Sequence, residues 1–172
     1  MNKAASNPVQ FSIKRVRDTY FQVNESLFIP DASKSIAIEI GHQLGFNIDS
    51  NITKLEIKIY FHYLDQPQQI LADIQVENYY EIPQLASFRN KDGVILFPKE
   101  LIIRIVDLSI SHTRALFAKN LSGTLFQEMI IQEVNPEGFA EQFFSYMFDK
   151  DAVVALTNTT DNSTKEVVVK KK

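Results

Sequence analysis

Histidine and serine side chains are the first groups in this sequence that could carry out chemistry, and their spacing decides whether they cooperate. The three histidines, His42, His62 and His112, are far apart in the chain and fit no metal-ligand spacing. His112 has Ser109 and Ser111 as neighbours, but this proximity does not make a catalytic triad without an acid that orients the imidazole. We therefore interpret none of the histidines as catalytic.

Carboxylates and glycines lead to the same expectation. Asp65 and Asp73 are a candidate acid–base pair, but Asp65 is typical of a turn and Asp73 falls on the polar face of a predicted strand. The five glycines are scattered singly, so no phosphate-binding loop is present, and the absence of cysteine excludes disulfides and zinc–thiolate sites. We expect no catalytic residue, no cofactor, no metal site and no enzymatic activity.

Overall charge and hydropathy limit the classes of partner that we expect for this protein. The net charge of −3 does not favour nucleic-acid binding. The first eight residues are polar and lack the apolar core of a secretory signal, and no stretch reaches the roughly 18 apolar residues of a membrane span. We expect a cytoplasmic protein without stable membrane insertion, and we interpret the basic run Lys170–Lys172 as solvated.

Alternation of apolar and polar residues in the first half of the chain predicts four strands, each with one dry and one wet face. Such one-sided strands are typical of antiparallel sheets. A long apolar connection at 24–35 separates the first two strands, and short turns join the others as hairpins. The alternating runs lie at 9–13, 36–48, 55–63 and 70–76.

The second half predicts two helices. Pro98 suits the first turn of a helix over 99–119, and a second helix is expected over 136–148. Seven of the ten residues from Leu101 to Ile110 are Leu, Ile or Val, more than one small sheet can cover. An exposed apolar helix face of that size is typical of an interface between subunits. The residues assigned to this interface are Leu101, Ile102, Ile105, Val106, Leu108 and Ile110.

Aromatic side chains crowd the second helix and leave two interpretations open. Phe139 and Phe143 share one helix face, and Phe144 widens it. These rings could simply pack in the core. Alternatively, together with Phe28 and Ile29 of the long connection, they line an adaptable groove that binds apolar polypeptide segments.

Several short motifs resemble the SecB family of export chaperones over residues 8–148. They are Val9–Val16 at the first strand, Ile95-Leu96-Phe97-Pro98 at the entry to the long helix, Gly123-Thr124-Leu125-Phe126 after it, and Val134-Asn135-Pro136-Glu137-Gly138-Phe139 at the last helix. The resemblance implies an α+β fold, with a four-stranded antiparallel meander sheet and a long helix and a second C-terminal helix on one face. It divides the chain into a flexible N-terminus (1–8), a SecB-like domain (9–148) and a flexible C-terminal tail (149–172).

The resemblance also implies an activity and an assembly. It implies an ATP-independent holdase for unfolded or pre-export polypeptides, assembled as a homotetramer that is a dimer of dimers. Family members dock to the SecA motor through acidic surface residues. This chain is only mildly acidic and carries a lysine run, so we carry over no SecA-docking residue.

A dedicated protein-binding module is the alternative hypothesis. It has the same fold but serves a single client, such as an antitoxin, and has no general export role. A third hypothesis, an enzyme or small-ligand carrier that uses the space between helix and sheet, finds no supporting constellation of residues.

Overall fold

The computed structural model describes residues 9–29, 34–149 and 156–158, and these form an α+β fold. Four antiparallel strands build the sheet: β1 (Val9–Val23), β2 (Ile36–Asn47), β3 (Ile52–Tyr63) and β4 (Gln66–Glu81). A long helix, α1 (Lys99–Leu121), and a shorter one, α2 (Pro136–Phe144), follow. The predicted fold class, a four-stranded antiparallel sheet with a long helix and a C-terminal helix, is confirmed.

The strand order differs from a plain four-stranded meander. Strands β2, β3 and β4 are consecutive hairpins, but β1 pairs with β4, so the order is β2-β3-β4-β1. The connection after β1 is tied to the far end of β4, because the Asn24 amide donates to the Leu71 carbonyl at 2.8 Å. Alternation predicts which residues form strands, but it carries no information on which strands are neighbours.

One face of the sheet, here called the helix-covered face, holds the hydrophobic core. The register aligns the odd residues of β3 with the even residues of β4 and β2, and together they form one apolar layer beneath the helices. In the centre of this layer Leu55, Ile57, Ile59 and Phe61 are at most 1% exposed. A buried polar contact joins the layers, with the Tyr80 hydroxyl 2.8 Å from the Ser109 hydroxyl on α1.

The apolar surface of α1 lies largely against this same chain. Of the six residues predicted to form a subunit interface, Leu101, Ile102, Ile105, Val106 and Ile110 are only 0–3% exposed, within the core. Only Leu108 is half-buried, with exposed surface left over. Arg104, Ser111, Ala115 and Ala118 face outward instead. The predicted oligomer interface stays a prediction, and Leu108 is the one residue of the six that offers it exposed area.

The opposite face of the sheet, here called the charged face, is a network of ion pairs. Glu77 accepts hydrogen bonds from Arg17, Lys54 and Tyr79 at 2.7–2.9 Å. Burial alone would raise the pKa of Glu77, but the hydrogen bonds from Lys54 and Arg17 outweigh it and hold that pKa below its ordinary value. Long side chains lying over one another bury polar groups that alternation predicts to be wet. Asp73 is thus only 4% exposed.

Helix α2 begins with a strong cap and ends earlier than predicted. The Asn135 side chain accepts hydrogen bonds from the amides of Glu137 and Gly138, and Pro136 occupies the first turn. After Phe144, residues Ser145–Met147 form one turn of 3-10 helix. The next two residues, β6 (Phe148–Asp149), pair in parallel with β5 (Phe97–Pro98), which anchors the end of this unit beside the start of α1.

The predicted flexible ends, 1–8 and 149–172, fall mostly outside the described residues. Within the second range, Asp149 belongs to β6 and Leu156–Asn158 form a further strand, β7. Strand β7 pairs in parallel with β1 at Val9–Phe11. These four residues therefore have strand structure where we predicted a flexible tail.

Replacing the cap of α2 gives a direct test of how this helix is held. Asn135→Ala removes the acceptor for two helix-end amides, and we expect unfolding free energy to fall by about 1 kcal/mol. Asn135→Asp keeps an acceptor at the same place and serves as the matched control. Urea unfolding followed by circular dichroism measures both. Equal destabilisation by the two variants would show that the cap does not hold α2.

Candidate functional site

Strand β2 forms one edge of the sheet, and its outer side has no strand partner in the part of the chain that the structure describes. The Leu64 amide donates to the Ser35 carbonyl at 2.9 Å, which fixes the phase of the antiparallel ladder. Because backbone groups alternate in direction along such a ladder, the even residues of β2 point their N–H and C=O groups away from β3. The free edge therefore presents the backbone of Ile36, Ile38 and Ile40.

The side chains of the same three residues line a groove on the helix-covered face. Ile36, Ile38 and Ile40 are each half-buried, and they face Ile131 and Val134 from the segment between the two helices. The hollow between these walls measures about 380 Å³. Free backbone donors and acceptors thus lie beside a row of apolar side chains that border an open hollow.

A second hollow continues along the same strand. His42 and Leu44 follow Ile40 on the same face, and opposite them stand Phe143 and Tyr146 around a hollow of about 390 Å³. From Ile36 to Leu44 the strand rises about 26 Å, at 3.3 Å per residue. We call the two hollows together the β2 groove. Its length suits about eight residues of an extended chain.

The predicted client-binding residues stand at the two ends of the β2 groove. Phe143 is half-buried and lines the second hollow. Phe144 lines it too, although it is only 1% exposed, whereas Phe139 is 8% exposed and belongs to the core. At the other end the Ile29 amide donates to the Tyr63 hydroxyl at 2.6 Å, and Tyr63 is in register with Ile36.

Phe28 and Ile29 differ in exposure at that end. Phe28 packs edge-on against Phe126, with ring centroids 5.2 Å apart, while Ile29 is 48% exposed. Client binding by the five predicted residues stays a prediction, and the isoleucines between the two ends were missed. Their alternation was visible in the sequence, but alternating isoleucines are typical of core residues. Only the edge position of β2 in the sheet indicates that they are available to a partner.

His42 is the histidine that lines the β2 groove. Its ring lies 4.5–5.5 Å from the rings of Phe139, Phe143 and Phe144, so α2 rests on it. Burial among these rings lowers the pKa of His42 below its ordinary value of 6.5. While it is neutral, the imidazole therefore lines the groove without placing a charge among the apolar side chains.

His62 holds β2 from the charged face, behind the groove. Its two ring nitrogens lie 2.8 Å from the Tyr63 carbonyl and 2.8 Å from the Glu39 carboxylate, and both of these oxygens accept. These hydrogen bonds raise the pKa of His62 above its ordinary value, against the effect of burial. Alternation along β3 places His62 on the polar face of the sheet, yet its side chain is only 3% exposed and connects the edge strand to β3.

Each histidine thus has its own separate surroundings. His112 contacts the buried Asn78 side chain at 2.9 Å, far along α1 from the groove. Among the described residues no three His, Asp or Glu side chains are grouped so that they could hold a metal ion. A search of the described helices for a membrane-spanning segment finds none. The β2 groove offers apolar surface and backbone hydrogen bonds, which suit binding of an extended polypeptide.

The lowered pKa of His42 predicts an acid-sensitive attachment of α2. The unfolded chain takes up a proton near pH 6.5 while the folded chain resists it, so stability falls as the pH drops below that value. His42→Phe should show a smaller loss of unfolding free energy between pH 7.5 and 5.5 than the unchanged protein. His62 and His112 titrate in both proteins, which makes the difference specific to position 42. Parallel pH dependences would contradict this assignment.

Comparisons with known proteins show similarity in structure but not in sequence. No family model matches the chain, and no curated protein matches its sequence. Among solved structures, it is similar to a SecB-like chaperone of Mycobacterium tuberculosis in complex with a ChAD peptide from the HigA1 antitoxin. The sequence identity is 10% and the TM-score 0.44, with 72% of this chain and 90% of the other covered.

Proposed function

We propose that this protein is an ATP-independent holdase that binds non-native polypeptide segments in the β2 groove. The supporting observation is that Ile36, Ile38 and Ile40 combine a free backbone edge with half-exposed side chains above a hollow. A bound segment adds a strand to β2 through main-chain hydrogen bonds, which are independent of sequence. Alternate side chains of the same segment fill the two hollows.

The free energy of binding in this mode comes from the contacts themselves, so no nucleotide is required. Burial of apolar side chains in the hollows contributes about 25 cal/mol per Å² removed from water. Each main-chain hydrogen bond exchanges a bond to water for one to the protein and contributes about 1 kcal/mol net. Folded proteins hide both their strand edges and their apolar side chains, so selection for unfolded chains follows from the groove itself.

The dedicated-client hypothesis uses the same groove, and breadth of binding separates the two. A general holdase delays aggregation of several unrelated unfolded proteins at similar molar ratios. A dedicated module protects none of them and binds one partner stoichiometrically. Two unfolded model proteins without sequence similarity therefore suffice to distinguish the hypotheses.

Substitution in the groove tests the site itself. Ile38→Thr keeps a β-branched side chain but places a hydroxyl in the first hollow, and we expect several-fold weaker suppression of aggregation, measured by light scattering. Val16→Thr is the matched control, because Val16 is also a half-buried residue on the helix-covered face, but on β1. Each change should cost about 1 kcal/mol of stability.

Suppression of aggregation is compared under conditions in which both variants are folded to the same extent. Urea unfolding of each variant identifies those conditions. Loss of suppression in Ile38→Thr alone supports the β2 groove. Equal suppression by both variants and the unchanged protein would contradict it. Absence of suppression by the unchanged protein, at several-fold excess over two unrelated unfolded proteins, would sink the general-holdase proposal.

A further inference from the structure

The even residues of β2 from Ile36 to Leu44 have side chains that line the groove and backbone groups that point out from the edge. In an antiparallel pair, the client residue opposite each of them exchanges an N–H and a C=O hydrogen bond with it, and its side chain lies on the same face. In a parallel pair these bonds go to the client residues on either side of the opposite one, whose side chains lie on the other face. Antiparallel addition alone therefore lets the same client residues form the hydrogen bonds and fill the hollows.

A contact between His42 and α2 divides the groove. The His42 and Phe143 rings both border the second hollow, but their centroids are only 4.5 Å apart, so no space remains between them. The Phe144 ring also lies 5.0 Å from the His42 ring. A client side chain opposite His42 meets this aromatic contact, whereas side chains opposite Leu44 and the three isoleucines meet open hollows. The position opposite His42 therefore accepts only a small residue.

We propose that the β2 groove binds segments that run antiparallel to β2 and carry a small residue at one defined place. Numbered from the N-terminus of the segment, positions 1, 5, 7 and 9 are large and apolar, and position 3 is small. In that numbering, positions 1, 3, 5, 7 and 9 lie opposite Leu44, His42, Ile40, Ile38 and Ile36. Because it names the class of segment that the same groove takes, this inference rests on the proposed function. Any small residue and any large apolar residues satisfy the order, so it restricts segments without specifying a sequence.

The intervening client residues, at positions 2, 4, 6 and 8, contribute little to this selection. Their side chains project toward the charged face, and their backbone groups point away from β2. Glu39, the acidic residue of β2 on that face, already accepts hydrogen bonds from Tyr60 and lies 2.8 Å from a His62 ring nitrogen. These four positions therefore tolerate polar residues, and their N–H groups remain in water.

Backbone methylation of a synthetic peptide tests the orientation. A fluorescent reference peptide has Leu at position 1, Ser at position 3, Val at positions 5, 7 and 9, and Thr or Lys at the positions between. In an antiparallel pair, N-methylation at position 5 removes a donor to β2 and places a methyl group against the strand, whereas a methyl group at position 4 faces water. We expect binding, measured by fluorescence anisotropy, to be about tenfold weaker or more with the methyl group at position 5, and to change less than about twofold with it at position 4.

Each other result has a defined meaning. Loss of binding from position 4 but not from position 5 indicates parallel addition and overturns the proposal, and so do equal affinities of the two methylated peptides. A reference peptide that does not bind, while the protein still suppresses aggregation, overturns this inference and leaves the holdase in place. Absence of both peptide binding and suppression rejects the holdase as well.

The small residue at position 3 is tested by enlarging it. A peptide with Leu in place of Ser at that position is more apolar, yet we expect it to bind about fivefold more weakly or worse, because its side chain meets the contact between His42 and Phe143. Phe143→Ala removes one side of that contact, and in this variant the Leu peptide should bind at least as tightly as the Ser peptide. Such a gain cannot arise from partial unfolding of the variant.

The matched control is Phe88→Ala, since Phe88 is also a half-buried phenylalanine but packs on Phe97, outside both hollows. Phe88→Ala should keep the preference for the Ser peptide. Equal binding of the two peptides to the unchanged protein overturns the divided groove, as does a preference for Ser that persists in Phe143→Ala. Urea unfolding confirms that both variants are folded under the conditions of the binding measurements.

Discussion

The register of β2 against β3 is the constraint on which the rest of the structure depends. It assigns the even residues of β2 two tasks at once, because their side chains face the helices while their backbone groups face outward. A shift by one residue would turn Glu39 toward the core and Ile38 toward the charged face. The part-buried His62–Glu39 contact behind the strand opposes that shift, since it joins Glu39 to β3 in the observed register.

The groove exists because the helices cover the sheet unequally. Helix α1 has 23 residues, about 34 Å at 1.5 Å per residue, and it packs mainly on β3 and β4. Strand β2 is left to α2, which has nine residues and spans about 13 Å, and to the irregular segment before it. That cover is shorter than the strand and touches it at His42, so hollows remain on both sides of the contact.

Sequence periodicity was sufficient for the elements and insufficient for their neighbours. Alternation predicted four one-sided strands, and the two helices were predicted to start beside Pro98 and at Pro136, because these signals are local. Strand order depends on where the connection after β1 attaches, through Asn24 on β4, and no local signal reports that contact.

For the candidate site and the surface of α1, too, the sequence predicted the elements but not which neighbours cover them. The aromatic residues of α2 were recognisable, but the isoleucines of β2 read as core until the strand became an edge. The burial of α1 within the chain was underestimated for a related reason, and the predicted interface stays a prediction. The leucines and isoleucines of α1 fit beneath one chain because the sheet and α2 together surround more of the helix than the sheet alone.

A free strand edge beside apolar hollows is a hazard as well as a site, because two copies could pair edge to edge. Many proteins block such edges with lysines, but β2 has none. Its surroundings carry negative charge instead: Glu39 lies on the charged face of β2 beside His62, and the exposed Glu133 lies on the rim of the first hollow. Like charges that two copies brought together at this edge would oppose pairing. The repulsion does not extend to apolar segments that carry positive charge. Charge repulsion at this edge would therefore disfavour edge-to-edge pairing of two copies, while an extended segment of another protein would still have access to it.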